Sequence, residues 1–134
     1  MSNVITLTTD FGLQDHYVSA MKAVILGIAP KTRLIDVSHF IPPQDIMAGA
    51  WVIRNSAMLF PSGTVHLVVV DPGVGTERKP IALRIEDQIF VGPDNGIFSL
   101  FSMSSNMKRT GLPILIFGEK ILPIPSTGEI YLLL

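Results

Sequence analysis

The sequence predicts an α/β domain in which a mostly parallel central sheet carries helices on both faces. Two observations lead there. The apolar period alternates in the order strand, helix, strand, helix, strand, the pattern of parallel strands joined by crossover helices. The run Val68-Val69-Val70 is apolar on both faces, as in a strand covered from either side. With 134 residues, 48% apolar and 16% charged, the chain can bury a core and is too apolar for disorder.

Each element follows from local pattern. "NVITLTTDFG" is a β-branched run that ends at Asp10 and Gly12, a strand opening into a loop. From Tyr17 to Ile28, Val18, Met21, Val24, Ile25 and Ile28 recur at helical spacing, and Pro30 stops the helix. "TRLIDVSHF" is the second strand. After Pro42-Pro43 a helix is expected to run to about Leu59, with Ile46, Ala50, Ile53 and Met58 on one face. "GTVHLVVVD" is the third strand. "PIALRIE" and "QIFVGPDNG" read as two short strands, joined as a hairpin around Glu86-Asp87.

Composition narrows the function classes. A net charge of −1 with scattered basic residues gives no electrostatic case for nucleic acid. The absence of cysteine removes disulfides, thiolate metal sites and cysteine nucleophiles. No basic region precedes an apolar stretch at the N-terminus, and no run reaches the roughly 18 apolar residues of a membrane span. A cytoplasmic protein without membrane attachment is expected.

Sites in open parallel sheets form beyond the carboxyl ends of the strands. Two strands here end in carboxylates and run into glycine-containing loops: "TTDFGLQDHY", with Asp10, Asp15 and Tyr17, and "VVVDPGVGTER", with Asp71 and Arg78. Asp10 fits either a helix cap or turn residue, or a carboxylate gripping a vicinal diol such as that of ribose. Asp71 with Arg78 fits either an ion pair bracing a loop or a charge pair that holds and polarises a small molecule. Asp15 and Tyr17 fit ordinary first-turn residues. His66 falls inside a strand and reads as packed, and His39 reads as structural. No two histidines have metal-ligand spacing, so no metal is expected. "PDNG", Pro93 to Gly96, is a turn signal first.

Four segments together, "TLTTDFGLQDHYVSAMK", "DVSHFIPPQDIMAGAW", "FPSGTVHLVVVDPGVGTER" and "FVGPDNGIFSL", resemble the S-adenosyl-L-methionine hydroxide adenosyltransferase family, relatives of enzymes that fluorinate or chlorinate the same substrate. The resemblance implies an N-terminal α/β domain followed by a smaller β-barrel domain. It implies a homotrimer with active sites between the first domain of one subunit and the second domain of the next. The implied reaction hydrolyses S-adenosyl-L-methionine to adenosine and L-methionine, with that molecule as substrate and no separate cofactor. By position, Asp10 matches the carboxylate on the ribose hydroxyls, and Asp15 and Tyr17 match residues near the methionine end. Asp71 and Arg78 match two members of an Asp–Arg–His set that handles the attacking water. Asp71, Val74 and Gln44 all differ from the residues of the halogenating relatives. A halogenase relative and a non-catalytic nucleoside-binding domain remain as alternatives.

Residues 1–104 are expected to form the domain, and 105–134 an irregular tail. The family's histidine lies in a motif "TFHGRDIFAP", where this chain has "IPSTGEIYLLL". If the last base of each codon is read with the first two of the next, the junctions from Ile124–Pro125 to Leu133–Leu134 can spell that whole motif. The tail is therefore expected to be out-of-frame translation, beginning between Ser102 and Lys120. On that expectation the chain lacks the domain that closes the pocket and turns over little substrate.

Overall fold

The computed structural model describes residues 3–72 and 80–102, together with the backbone of a strand at 107–109. In chain order the elements are β1 (Val4–Thr9), α1 (Tyr17–Ile28), β2 (Arg33–Ser38), α2 (Ile46–Ser56), β3 (Val65–Val69), β4 (Pro80–Ile85), β5 (Gln88–Pro93) and β6 (Met107–Arg109). They form one sheet of order β2-β1-β3-β5-β4-β6. β2, β1, β3 and β5 are parallel neighbours, and β4 runs antiparallel to both β5 and β6. The α/β class expected from the sequence is the one observed. β6 extends the sheet past residue 104, and the rest of the expected tail lies outside the described residues.

Alternation along β3 assigns the faces. Val65, Leu67 and Val69 pack with Ile5, Leu7 and Ile25 of α1, while Val68 and Val70 pack with Ala50 and Ile53 of α2. The two helices therefore cover opposite faces, each burying one side of the same strands. Helix α1 gains little at its start, where His16 makes no side-chain cap. At its end Ala29 N–H donates to the Ile25 carbonyl, and Pro30 has no N–H to continue. Val24, expected in the buried stripe, is instead 43% exposed, because Val18 and Ile25 carry the contact and Val24 falls to one side of them.

Helix α2 is capped by Asp45, whose side chain accepts the Ala48 N–H at 2.9 Å. The expected run to Leu59 divides here. The α-helix ends at Ser56, and a single 3₁₀ turn, Ala57–Leu59, completes it. Between β4 and β5 the hairpin turns at Glu86-Asp87, with Ile85 paired to Gln88 and Glu86 at φ 55°, as tight hairpins require of their first turn residue. Gly92 in β5 is a close-approach position. A Cβ there would stand 2.7 Å from the Val68 carbonyl oxygen and 3.0 Å from the Phe98 ring.

One polar chain runs through the α2 face. Gln88 Nε2 donates to the Phe60 carbonyl at 2.9 Å, which turns Gln88 Oε1 toward His66 Nε2. That nitrogen must donate, so His66 Nδ1 accepts the Thr6 hydroxyl at 2.7 Å. The ring is fully buried between Phe60 and Phe90, and burial lowers its pKa from 6.5 despite the Gln88 bond. The unfolded chain therefore takes up a proton at His66 more readily than the folded one. This contribution to stability is complete above pH 6.5 and is lost as pH falls below it. Urea denaturation between pH 5 and 8 should show wild-type stability falling on the acid side by at most about 1.4 kcal/mol per pH unit. The His66→Gln protein should be less stable at pH 8 but flatter with pH, and an equal slope in both would refute the assignment.

Candidate functional site at the carboxyl rim

Parallel pairing of β1 with β3 runs in register from Ile5–Val65 to Thr9–Val69. Asp10 follows Thr9 directly, and its N–H donates to the Val69 carbonyl at 3.4 Å. Asp71 follows one buried residue later, after Val70. Both half-buried carboxylates thus begin loops that leave adjacent strands at the same edge of the sheet. Arg78, with Gly73 and Val74, lies outside the described residues.

The Asp10 loop is braced by the segment that follows β2. Gly12, at φ 69°, donates its N–H to the His39 carbonyl at 2.7 Å, and Ile41 N–H donates to the Thr9 carbonyl at 3.3 Å. Asp10 Oδ2 accepts the Gln44 N–H at 2.8 Å. The helix-cap reading of Asp10 is thereby excluded, since α1 starts seven residues later with His16 at its cap position. The turn reading holds in a specific form: the carboxylate ties two loops together. A carboxylate has two oxygens and about four acceptor directions, so one such bond orients it without exhausting it.

Asp15 is exposed and precedes the cap position of α1. Tyr17 opens the helix, 55% exposed, with its ring stacked on His16 and 6.0 Å from Phe11. The Phe11–Tyr17 contact brings the start of α1 beside the Asp10 loop. The histidines behave as packed residues. His66 lies in the core, and buried His39 bonds Thr9 Oγ1 and Asp36 Oδ1, each at 2.8 Å. Partial burial raises the pKa of Asp36, but bonds from Lys22 and His39 outweigh that and hold it below the ordinary carboxylate value.

Two features escaped sequence reasoning. Asn95, read only as part of a turn, donates from Nδ2 to the Val70 carbonyl at 2.8 Å and accepts the Ile97 N–H on Oδ1 at 3.1 Å. It fixes the end of β3 one residue before Asp71. The usable signal was an Asn two residues before an N–H it could accept, the spacing of an Asx turn. The second is Gln44, a non-glycine residue at φ 64°. A shallow hollow of about 140 Å³ lies further along the rim, lined by Ile81, Leu83, Pro93, Asp94, Gly96, Phe98 and Ser99. Asp10 and Asp71 are not among its walls.

Comparison with known proteins shows what this chain is similar to. Residues 5–114 match the model of the SAM hydroxide adenosyltransferase N-terminal domain. An (R)-S-adenosyl-L-methionine hydrolase of Salinispora tropica is 50% identical over 93 residues, covering 69% of this chain and 35% of the relative. A fluorinase of Nocardia brasiliensis is 34% identical over 82 residues, covering 61% of this chain and 27% of the relative. Among solved structures, an uncharacterized conserved protein from Thermotoga maritima superposes with a TM-score of 0.74 at 41% identity, over 78% of this chain and 40% of its own. The chain thus spans about a third of the length of the curated relatives it matches.

The Asn95 bonds supply a test of the rim. Asn95→Ala should lower stability in urea denaturation by about 1–3 kcal/mol, the cost of leaving partly buried backbone groups unpaired. Asn95→Asp keeps an acceptor for Ile97 but cannot donate to Val70, so it should lose at least as much. Wild-type stability in both variants would show that the end of β3 does not depend on this side chain.

Proposed function

The chain belongs to the SAM hydroxide adenosyltransferase family, and from that premise we propose that its residues serve the hydrolysis of S-adenosyl-L-methionine to adenosine and L-methionine. The observation that carries the proposal is the placement of Asp10 and Asp71 at the ends of neighbouring parallel strands, with Asp10 held by Gln44. Asp10 would accept hydrogen bonds from the ribose diol, and Asp15 and Tyr17 would meet the methionine end. Asp71 would orient Arg78 beside the attacking water.

The chemistry divides simply. Water oxygen bonds to the ribose 5′ carbon as the carbon–sulfur bond breaks, its electron pair returning to sulfur, and the water releases a proton. Methionine leaves as a neutral thioether, so little help is needed on that side. Free water has a pKa near 15.7, so the nucleophile needs the help. A guanidinium stabilises developing hydroxide, and the carboxylate beside it offsets its repulsion of the sulfonium. General-base help is worth about 10²–10⁴ in rate, and alignment of the water adds to that. The substrate itself carries the activating charge, so the proposed reaction uses no cofactor.

Three finer points belong to the same proposal. The working protein is a homotrimer whose sites are completed by a neighbouring subunit. What supports an interface is the outward face of α2, where Met47 and Trp51 stand one turn apart, 54% and 56% exposed. The domain comprises about residues 1–104. The setting is the cytoplasm, with neither nucleic acid nor membrane as partner; among the described residues no helix is long and apolar enough to cross a membrane.

Water is favoured over halide by the higher identity to the hydrolase and by Asp71, Val74 and Gln44. Chromatography of reactions containing fluoride or chloride should show adenosine and methionine as the products, and a 5′-halogenated nucleoside would replace this reading with the fluorinase one. Adenosine binding without turnover would favour a non-catalytic nucleoside-binding domain. In calorimetric titration with adenosine, Asp10→Asn should weaken binding by about 10–100-fold, the range of one hydrogen bond to a charged group. Unchanged affinity would remove Asp10 from the site.

A further inference from the structure

We infer that His39 is a positioning residue for Asp10, acting through Thr9. The inference rests on the reading of Asp10 as the ribose-gripping carboxylate. Its starting point is a chain of hydrogen bonds whose donors and acceptors are all determined. Lys22 Nζ donates to Asp36 Oδ2 at 2.7 Å. Asp36, held ionised by its partners, can only accept, so His39 Nε2 must donate to Asp36 Oδ1. In the neutral ring Nδ1 is then the acceptor, and the Thr9 hydroxyl donates to it at 2.8 Å. With its proton committed, Thr9 Oγ1 accepts the Phe11 N–H at 3.2 Å.

The effect is to hold the backbone on both sides of Asp10. The His39 ring fixes Thr9 Oγ1, and through it the Phe11 N–H. The His39 carbonyl takes the Gly12 N–H at 2.7 Å. Two residues on, Ile41 N–H reaches the Thr9 carbonyl, and the same segment brings Gln44 N–H to the Asp10 carboxylate. Residues 9 to 12 thus take their conformation from the segment around His39, and Asp10 is the side chain that this conformation aims. A purely structural histidine is available for comparison. His66 is also buried, also accepts a threonine hydroxyl on Nδ1 and also donates from Nε2, but it does so in the core beside Phe90 and touches no rim loop.

Two conservative variants separate the ring's two bonds. The amide oxygen of His39→Asn stands near the position of Nδ1 and can accept the Thr9 hydroxyl, though it cannot reach Asp36. The amide nitrogen of His39→Gln stands near Nε2 and can donate to Asp36, but leaves Thr9 without its acceptor. The test uses the 134-residue chain, with two readouts: calorimetric titration with adenosine, and amide hydrogen exchange at Gln44 and Phe11. His39→Gln should weaken adenosine binding by about tenfold and speed exchange at both amides by a similar factor, whereas His39→Asn should stay within about threefold of wild type. His66→Gln should lower the melting temperature while leaving adenosine affinity and Gln44 exchange unchanged.

The inference is overturned if His39→Gln keeps wild-type exchange at Gln44 and Phe11, or if His39→Asn and His39→Gln lose affinity equally. Should wild type itself bind no adenosine, the ribose reading of Asp10 fails. The exchange data then still decide whether His39 positions the loop.

Discussion

Parallel pairing of β1 with β3 is the constraint on which the rest of this rim depends. Five register pairs carry it, and the last, Thr9–Val69, sets Asp10 and Asp71 side by side where the chain leaves the sheet. The same register places Leu7 and Val69 on the α1 face and Thr8 and Val68 on the α2 face. Because side chains alternate with period two, a slip of one residue would turn every apolar side chain of β1 to the wrong layer. Core and site are therefore fixed by one choice. The acids need no separate device to bring them together, because the burial that selects the register also selects their neighbourhood.

What the sheet does not supply is aim. A strand end delivers a residue to within a few ångströms, and its side chain still has two torsions to set. Here the aiming is done by side chains and turns from elsewhere. Asn95 takes the carbonyl of Val70, the last group before Asp71. The segment from His39 to Gln44 takes groups on both sides of Asp10 and the carboxylate itself. The two buried histidines show how one chemical arrangement serves two ends. Both accept a threonine hydroxyl from β1, Thr6 for His66 and Thr9 for His39. Three residues separate those threonines, and on a strand that odd spacing puts them on opposite faces, one over the α2 core and one over the rim loops.

Much of this was legible in the sequence, and the remainder was not for identifiable reasons. The β-branched runs, the helical spacing from Val18 to Ile28 and the carboxylates after two strands all express local preference and binary pattern, which single-sequence reading captures. The hairpin at Glu86-Asp87 was legible from its spacing. Val24 was misplaced because an apolar stripe gives the direction of a helix face without its width. Asn95 and Gln44 were missed as site residues because their roles depend on partners 25 and 34 residues away. No local pattern encodes such a partner, and only the closed fold creates it.

Gln44 shows how such a partner can be held against a local cost. Asp45 N–H donates to the Pro42 carbonyl at 3.0 Å, which makes Pro42-Pro43-Gln44-Asp45 a hydrogen-bonded turn. Gln44 occupies its third position at φ 64°, the sign a type II turn demands, and proline at the second position favours that turn. For a side-chain-bearing residue the left-handed conformation costs roughly 1–2 kcal/mol. A hydrogen bond from the Gln44 N–H to the Asp10 carboxylate contributes about 1.5–3 kcal/mol, enough to offset it. The balance explains why the turn persists without glycine. It also runs in both directions: as the turn is held by the carboxylate, the carboxylate is held by the turn, and a ligand reaching Asp10 meets an oxygen already oriented.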